Sequence, residues 1–342
     1  MTDTVRGPFV VIGENIHATR VLLRSGARVA ALPDGSPALP FADDEGAERL
    51  LPVPEAALEG TGEKQKVKHV KAAVLAGLAG GPGAELGRGY VRHLARRQAA
   101  AGADYLDLNV DEVSNDLAVR VAAIRWLVGV VEAATPAALA LDSSAPEVLR
   151  AGLEAARRTA GPPLLNSASI ERLDVLDLAA AEGCAVVLGA VGEAGMPGSA
   201  AERVANAERI VEEATRRGMA LGALHVDPLV LPVAVEPEVG AWYLEAVRTL
   251  RAQLGPEVHL TGGLSNVSFG LPLRRLLNDV FIDLAAEAGA DSGIIDPVAS
   301  DPRRVFAMDR STRAHAMAVA LLTGADPYGM EFLAAYRAGD LD

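Results

Sequence analysis

Short apolar runs alternate with longer segments of helical periodicity along most of the chain. Eight runs rich in Val, Ile, Leu and Ala have the length and composition of buried strands. These predicted strands cover residues 9–12, 105–110, 137–141, 163–165, 185–188, 221–226, 258–261 and 292–295. Helical material follows each run, an alternation that predicts parallel strands, and eight such units favour an α/β protein with a TIM (β/α)8 barrel.

An open doubly wound sheet is the alternative architecture, and it fits the sequence less well. No glycine-rich dinucleotide fingerprint follows an early strand. The nearest match, Gly81-Pro82-Gly83, lies between two predicted helices and is interpreted as a loop.

The pattern changes between residues 19 and 62, directly after the first predicted strand. Five prolines interrupt any helix there, and Asp34-Gly35 is typical of a turn between strands. We interpret this segment as an insertion or small cap within one domain spanning residues 1–342, not as a second domain. Helices are predicted after it, at 63–78 and 85–101.

Polar side chains recur at the ends of the predicted strands. One such residue is typical of a helix N-cap or a turn, but the repetition predicts a ring of polar groups at one face of the barrel. The ring comprises Glu14, Asn15, Asp107, Asn109, Asp142, Asn166, Asp227, Asn266 and Asp296. Ser143 and Gly189, which also follow or end predicted strands, are further candidate site residues. The pattern is clearest in residues 261–278, TGGLSNVSFGLPLRRLLN. There, two glycines after a predicted strand are followed by small polar residues and then by a predicted helix.

Composition narrows the ligands that such a ring could bind. The formal charge of −13 disfavours nucleic acid, whose binding depends on neutralising phosphates. Carboxylates and amides pair with the N–C–N edges of amino-substituted heterocycles. Apart from Arg274 and Arg275 there is little positive charge nearby, so a pterin is favoured over a phosphate-rich ligand.

The sequence also indicates the cellular compartment of the protein and whether a metal site is expected. A single cysteine, Cys184, predicts a reducing, cytoplasmic setting and a core position for that residue. No leader peptide and no membrane span are expected. The six histidines show no HxH or HExxH spacing, so no metal site is predicted. His225 and Asp227 could share a strand face, but a packed strand histidine is the favoured interpretation.

The chain resembles the pterin-binding methyltransferases that move a methyl group between 5-methyltetrahydrofolate and a corrinoid cobalt. It is similar to the folate domain of cobalamin-dependent methionine synthase and, more distantly, to dihydropteroate synthase. The matching segments are IGENIH (12–17), LDLNV (106–110), LDSS (141–144), LLNS (164–167), DPLVLP (227–232) and GGLSNVSFGLPLRRLLN (262–278).

The resemblance implies roles for individual residues. Asp142, Asn166 and Asp227 would hold the amino-pyrimidine edge of the pterin, and Asn266 would hydrogen-bond N5. Asn266 and Asp142 are thus the predicted catalytic residues. Arg274 would lie near the substrate, and Asp107 and Asn109 would line the same site. The family's first motif usually ends in Asn, whereas His17 stands there in this chain.

The resemblance further implies a homodimer that uses tetrahydrofolate or 5-methyltetrahydrofolate. A cobalamin-type corrinoid would be the methyl partner. The DxHxxG loop of cobalamin-binding modules is absent from the sequence, so the corrinoid would come on a separate protein or as free cofactor. Two alternatives stay open: a dihydropteroate synthase, and a non-catalytic pterin-binding subunit of a demethylase system.

Overall fold

The computed structural model describes residues 9–193 and 195–341. The first eight residues, which are part of the segment where no leader peptide is predicted, lie outside the described residues. The described chain separates into two compact units, one made of residues 13–164 and the other of residues 9–12 with 165–341.

The unit of residues 13–164 begins within the first strand and includes the predicted insertion. Its elements are β1 (Val10–His17, which starts in the other unit), β2 (Val21–Leu23), β3 (Ala30–Ala31), β4 (Pro37–Ala42), β5 (Glu48–Pro52), β6 (Leu58–Glu59), β7 (Lys66–Lys68), α1 (His69–Ala79), α2 (Gly81–Ala100), β8 (Tyr105–Asn109), α3 (Leu117–Glu132), β9 (Ala138–Asp142) and α4 (Pro146–Ala155).

The second unit repeats a strand-then-helix order and ends in helices. Its elements are β10 (Leu164–Ala168, which starts in the other unit), α5 (Leu173–Glu182), β11 (Ala185–Gly189), α6 (Ala200–Arg216), β12 (Leu224–Asp227), α7 (Val239–Leu254), β13 (His259–Leu260), α8 (Arg274–Ala288), β14 (Ser292–Ile295), α9 (Pro302–Val305), α10 (Arg313–Leu322) and α11 (Met330–Ala338).

All eight predicted strands are present, and they belong to one sheet. The strand order is β13-β12-β11-β10-β9-β8-β1-β14. The ladders β8–β9, β11–β12 and β12–β13 are parallel, with Asn109 opposite Asp142 and Gly189 opposite Asp227. The predicted (β/α)8 TIM-barrel class is therefore confirmed.

The inserted segment folds into two small antiparallel sheets, ordered β2-β7-β6 and β3-β4-β5. The prediction of strands after residue 19 is confirmed, but the helix predicted from residue 63 is wrong at its start. Val67 is fully buried between Leu22 and Leu58 in the first sheet, so residues 66–68 are extended and α1 begins at His69. Pairing with distant strands has overridden the local helical pattern.

The glycine-rich stretch at residues 81–83 is not a loop, contrary to the prediction. It forms the first turn of α2, where Pro82 is tolerated because the first helical N–H groups have no intrahelical acceptor. Gly80, with φ of +75°, separates α1 from α2. The positive φ at a glycine explains how two helices follow each other with one residue between them.

Small residues allow the helices of the first unit to pack closely. A Cβ atom on Gly87 of α2 would lie 2.4 Å from the carbonyl oxygen of Ala73 in α1. A Cβ on Gly77 would lie 2.1 Å from the Trp126 ring.

Cys184 is 2% exposed, which confirms its predicted core position. Among the described residues, no helix is both long enough and apolar enough to cross a membrane.

Candidate functional site

The first group of polar residues lies on three neighbouring strands of the unit of residues 13–164. β1 continues to His17, beyond the predicted end of the strand, so His17 belongs to the strand itself. Its Nε2 lies 3.0 Å from Oδ2 of the fully buried Asp107, and its Nδ1 lies 3.9 Å from Oδ2 of Asp142. One imidazole therefore stands between two carboxylates.

Asn109 orients the Asp142 carboxylate from the neighbouring strand. The two residues are opposite each other in the β8–β9 ladder, and Asn109 Nδ2 donates a 3.0 Å hydrogen bond to Asp142 Oδ2. The side-chain oxygen of Asn109 accepts the backbone N–H of Asp111 at 3.1 Å. The amide thus links the end of β8 to the end of β9.

Asp111 is a member of this group that the sequence analysis did not identify. Its carboxylate accepts the Ser143 hydroxyl at 2.5 Å and the backbone N–H of Ser144 at 2.7 Å. The predicted site residue Ser143 therefore faces Asp111 in a buried position. The available signal in the sequence was the position of Asp111, which immediately follows the LDLNV motif (106–110) that contains Asp107 and Asn109.

Burial and neighbouring charge shift the pKa values of this group. Burial alone would lower the pKa of His17, but the charge and hydrogen bond of Asp107 outweigh it and raise the value to about 9. Burial and the charge of Asp107 raise the pKa of Asp142 to about 7, against the opposing effects of His17 and Asn109. The proton on His17 and the charge on Asp142 are thus coupled through a low-dielectric site.

His17, Asp107 and Asp142 could each offer one atom to a metal ion, since those atoms lie within 4.8 Å of one another. The 3.0 Å contact between His17 Nε2 and Asp107 has the geometry of a hydrogen bond. A metal-binding imidazole must present a lone pair, so an ion at this position would have to displace the proton of that hydrogen bond.

The other two predicted residues of β1 have structural partners. Glu14 accepts a 3.1 Å hydrogen bond from Arg20, which lies between β1 and β2. The backbone N–H of Asn15 donates to the side-chain oxygen of Gln98 in α2 at 2.9 Å, and Gln98 is fully buried. Both contacts hold the end of β1 in place within its unit.

In the second unit, Asp227 ends β12 beside Gly189 of β11. Its Oδ1 accepts the backbone N–H of Leu229 at 2.7 Å. Burial raises the pKa of Asp227 to about 6, although the N–H groups of Leu229 and Gly263 and the charge of Arg203 act in the opposite direction. Asp227 is a carboxylate held in a poorly solvated position, as a ligand-binding acceptor would be.

Asn266 lies in a short 3-10 segment, Leu264–Ser268, which is the next element after β13. Its amide is half-buried and packs against Gly263, where a Cβ atom would lie 2.7 Å from Asn266 Nδ2. The glycine is therefore needed for the amide to take this position.

Arg274 begins α8 and folds back on the same segment. Its Nε donates to Ser268 Oγ at 3.0 Å and its Nη2 donates to the Ser265 carbonyl at 3.1 Å. The guanidinium lies 4.4 Å from the centroid of the half-exposed Phe269 ring. These contacts fix the direction of the charge relative to the Asn266 segment. Arg274 and Arg275 are both exposed.

Arg203 of α6 is a second residue that the sequence analysis did not identify. It is fully buried, and its Nη1 donates to the carbonyls of Pro197 and Ser199 at 3.1 and 3.2 Å. Its Nε and Nη2 have no hydrogen-bond partner among the described residues. The guanidinium carbon of Arg203 lies 5.5 Å from the centroid of the Trp242 ring. Arginine on a helix normally indicates a solvent-facing position, so sequence offered no signal.

The structure thus brings predicted residues together within each unit. In the unit of residues 13–164, hydrogen bonds connect Asn109, Asp142 and Ser143 with Asp111. The hydrogen-bonded pair of His17 and Asp107 adjoins them through the 3.9 Å contact between His17 and Asp142. In the other unit, Asp227 adjoins Gly189, and Asn266 shares its segment with the partners of Arg274. Asn166 is half-buried in β10. Asp296 accepts the backbone N–H groups of Val298 and Ala299, a turn role.

Comparison with known proteins gives concordant matches. A sequence profile of the pterin binding enzymes matches residues 90–296. The chain is 31% identical over 227 residues to the methylcorrinoid:tetrahydrofolate methyltransferase of Eubacterium limosum, covering 64% of this chain and 81% of that protein. It is 34% identical over 217 residues to the methionine synthase of Mycobacterium tuberculosis, covering 59% of this chain but 18% of the much longer enzyme.

A solved structure shows the same fold at lower sequence identity. Dihydropteroate synthase from Stenotrophomonas maltophilia is similar with a TM-score of 0.51 and 20% identity, over 65% of this chain and 86% of that one. At this identity the likeness concerns the fold alone. It agrees with the strand order and the alternation of strands and helices described above.

Proposed function

Because the chain belongs to the pterin binding enzyme family, we propose that it transfers a methyl group between N5 of a tetrahydrofolate and the cobalt of a corrinoid. The observation that carries this proposal is the 31% identity to the methylcorrinoid:tetrahydrofolate methyltransferase of E. limosum, which extends over 81% of that protein. Activity, substrate and partner of this chain are proposals that rest on that relationship and on the chemistry of the site residues.

In the proposed enzyme, Asp142, Asn166 and Asp227 bind the amino-pyrimidine edge of the pterin. Carboxylates suit this role because the edge presents N–H donors, and such bonds are stronger when the acceptor is charged and poorly solvated. The raised pKa values of Asp142 and Asp227 are consistent with poorly solvated acceptors. Asp107 and Asn109 belong to the same proposed site, where they contact His17 and Asp142 respectively.

Asn266 is the residue that we propose to hydrogen-bond N5. A tertiary amine is a poor leaving group, so N5 must gain positive character as its methyl group departs. A neutral amide can donate or accept, and its hydrogen bond can strengthen as a proton arrives at N5. This stabilises the transition state more than the ground state. We propose that Arg274, held by Ser268 and the Ser265 carbonyl, lies near the substrate.

A reduced corrinoid, when bound, supplies the cobalt that exchanges the methyl group with N5. The sequence lacks the DxHxxG loop of cobalamin-binding modules. We therefore propose that the corrinoid is presented by a separate protein, and that the chain works as a cytoplasmic homodimer. The chain's own contribution is to bind and orient the pterin, since holding reactants in register is a large part of the catalysis of group transfer.

The decisive experiment mixes the protein with 5-methyltetrahydrofolate and cob(I)alamin and follows the cobalt absorption spectrum. We expect conversion to methylcob(III)alamin at a rate proportional to protein concentration. The reverse mixture, methylcobalamin with tetrahydrofolate, should give cob(I)alamin and shows which direction is faster. Absence of transfer in both directions, with folate binding retained, would favour a non-catalytic pterin-binding subunit instead.

The same protein preparation tests the second alternative. A dihydropteroate synthase would release pyrophosphate when given p-aminobenzoate and a dihydropterin diphosphate. We expect no release, because GGLSNVSF (262–269) lacks the late lysine that the family resemblance assigns to diphosphate binding. Pyrophosphate release without methyl transfer would reverse the assignment.

A further inference from the structure

The segment that carries Asn266 is tied to α8 on both sides of that residue. The Ser265 carbonyl accepts Arg274 Nη2 at 3.1 Å, and the Ser268 hydroxyl accepts Arg274 Nε at 3.0 Å. The same hydroxyl donates to Asn278 Oδ1 at 2.7 Å. Ser268 is fully buried and Ser265 is nearly so, which means that the contacts are enclosed at the segment. The first turns of α8 therefore hold the residues before and after Asn266.

The Ser268 hydroxyl is the junction of this network. It has one proton, and the Asn278 oxygen at 2.7 Å is a closer acceptor than the Ser265 carbonyl at 3.3 Å. Its lone pairs remain available to the guanidinium of Arg274, and a hydrogen bond from a charged donor is stronger than a neutral one. Removal of this one hydroxyl would break its bonds to both α8 side chains.

The start of α8 is shaped so that Arg274 and Asn278 can make these contacts. The two residues are four positions apart, so their side chains leave the helix on one face. Leu273 precedes them with a φ of +52°, a left-handed conformation that is unfavourable for a residue other than glycine. It also occupies the N-cap position, where its side chain cannot accept the helix N–H groups. A helix start that is unfavourable on both counts is typical of a position retained for function.

We propose that Ser268 and Asn278 are positioning residues that hold the Asn266 amide in the direction of N5 of the pterin. The inference rests on the proposed function, since it deepens the role given there to Asn266. Neither positioning residue is proposed to touch the substrate. An amide whose hydrogen bond strengthens in the transition state must already be in place, and a displacement of about 1 Å can cost about 100-fold in rate.

The test measures methyl transfer from 5-methyltetrahydrofolate to cob(I)alamin together with the affinity for the folate. Ser268→Ala should lower kcat about 10- to 100-fold, while the dissociation constant of the folate changes less than about threefold. Asn278→Ala should lower kcat in the same way. Asn278→Asp keeps an oxygen that accepts the Ser268 hydroxyl, so its kcat should stay within about threefold of the wild-type value. Equal losses in Asn278→Asp and Asn278→Ala would contradict the proposal.

A double-mutant cycle shows whether Ser268 acts through Asn266. In the Asn266→Ala background, Ser268→Ala should change kcat by less than about twofold, because the amide that it positions is gone. An effect as large as in the wild-type background would overturn the proposal, as would wild-type kcat in both Ser268→Ala and Asn278→Ala. Thr323→Ala is the control, since it removes a 2.8 Å hydroxyl bond to the Val319 carbonyl of α10 and should keep the wild-type kcat.

A measurement that needs no turnover keeps this inference separate from the proposed function. The side-chain amide of Asn266 is identified in 15N spectra by its absence in Asn266→Ala. Its order parameter should be high in the wild type and lower in Asn278→Ala, a variant of a half-buried residue that also covers failure of Ser268→Ala to fold. Equal order parameters would overturn the inference. If the wild type transfers no methyl group in either direction, the proposed function fails, while the amide signal still decides whether α8 holds Asn266 in place.

Discussion

Asp227 accepts the backbone N–H of Leu229 at 2.7 Å, and this turn leaves its carboxylate in a position where burial raises the pKa to about 6. Leu229 adopts a φ of +73°, a region that costs a non-glycine residue about 1 kcal/mol or more. Both features are unfavourable for folding by themselves. A strained turn that holds a poorly solvated carboxylate is typical of a residue retained for binding rather than for stability.

The first prediction follows from the sign of that pKa shift. The folded-state pKa of about 6 exceeds the ordinary value of 3.8, so the protonated form is favoured on folding, and this contribution is lost as pH rises from about 4 to about 6. Asp227→Asn should therefore raise the free energy of unfolding at pH 7.5 by about 1–3 kcal/mol, while weakening binding of 5-methyltetrahydrofolate.

Urea denaturation at pH 4 and pH 7.5 measures this effect. At pH 4 the difference between wild type and Asp227→Asn should nearly vanish, because both side chains are then largely neutral. An equal gain at both pH values would mean that the substitution acts through packing instead of charge.

Asn266→Ala should separate catalysis from binding. The methyl-transfer rate should fall about 100- to 1000-fold, the range found when a preorganised hydrogen bond to a developing charge is removed. Affinity for 5-methyltetrahydrofolate should change less than about tenfold. The rate comes from stopped-flow spectra of cobalamin, and thermal melting checks that the fold is retained.

The matched control for that variant is Asn115→Ala, which removes an exposed amide from the loop before α3. Its transfer rate should equal that of the wild type. Full transfer activity in Asn266→Ala would refute the role proposed for its amide.

Arg203→Ala should destabilise the second unit. The variant loses the hydrogen bonds to the Pro197 and Ser199 carbonyls and leaves a cavity beside Trp242. Relief of a buried charge offsets part of the loss, so we expect a net cost of about 2–4 kcal/mol in chemical denaturation. Arg209→Ala on the same helix removes an exposed guanidinium paired with Glu193 and should cost less than about 1 kcal/mol.

Two glycine variants of α2 test the close packing between α1 and α2. Gly87→Ala places a methyl group 2.4 Å from a backbone oxygen that cannot move without displacing α1, so it should cost about 1–3 kcal/mol. Gly83→Ala lies in the same helix with no heavy atom within 4 Å of the new Cβ. It should be neutral or stabilising by up to about 1 kcal/mol. Equal effects on the melting temperature would contradict the described packing.

The sequence was sufficient for the architecture because buried parallel strands carry a strong signal. Apolar runs such as residues 185–188 cannot face water on either side, and each was followed by a helical period. The insertion was harder to predict. Residues 66–68 show the two-residue alternation of a strand, but only over three positions within a segment whose other residues suit a helix. Their pairing with residues 21–23 and 58–59 depends on partners that local pattern does not reveal.

The sequence was enough to predict which residues belong to the candidate site, but not which of them form hydrogen bonds with each other. Asp107, Asn109 and Asp142 were recognisable because each is polar at the end of an apolar strand. The hydrogen bond between Asn109 and Asp142 depends on the register of two strands 33 residues apart, which only the structure supplies. The partners of His17 could not be predicted from the sequence for the same reason, since they lie on the distant strands β8 and β9.

The single sulfhydryl of the chain is enclosed at the start of β11, where Cys184 is 2% exposed. A thiol-directed dye would thus find little native background to label. Introducing a cysteine at Met196, a 57% exposed residue of the loop before α6, would give one reactive handle on the folded protein. Fluorescence from that handle could report in real time whether a corrinoid carrier approaches this loop, a question that steady-state turnover does not answer.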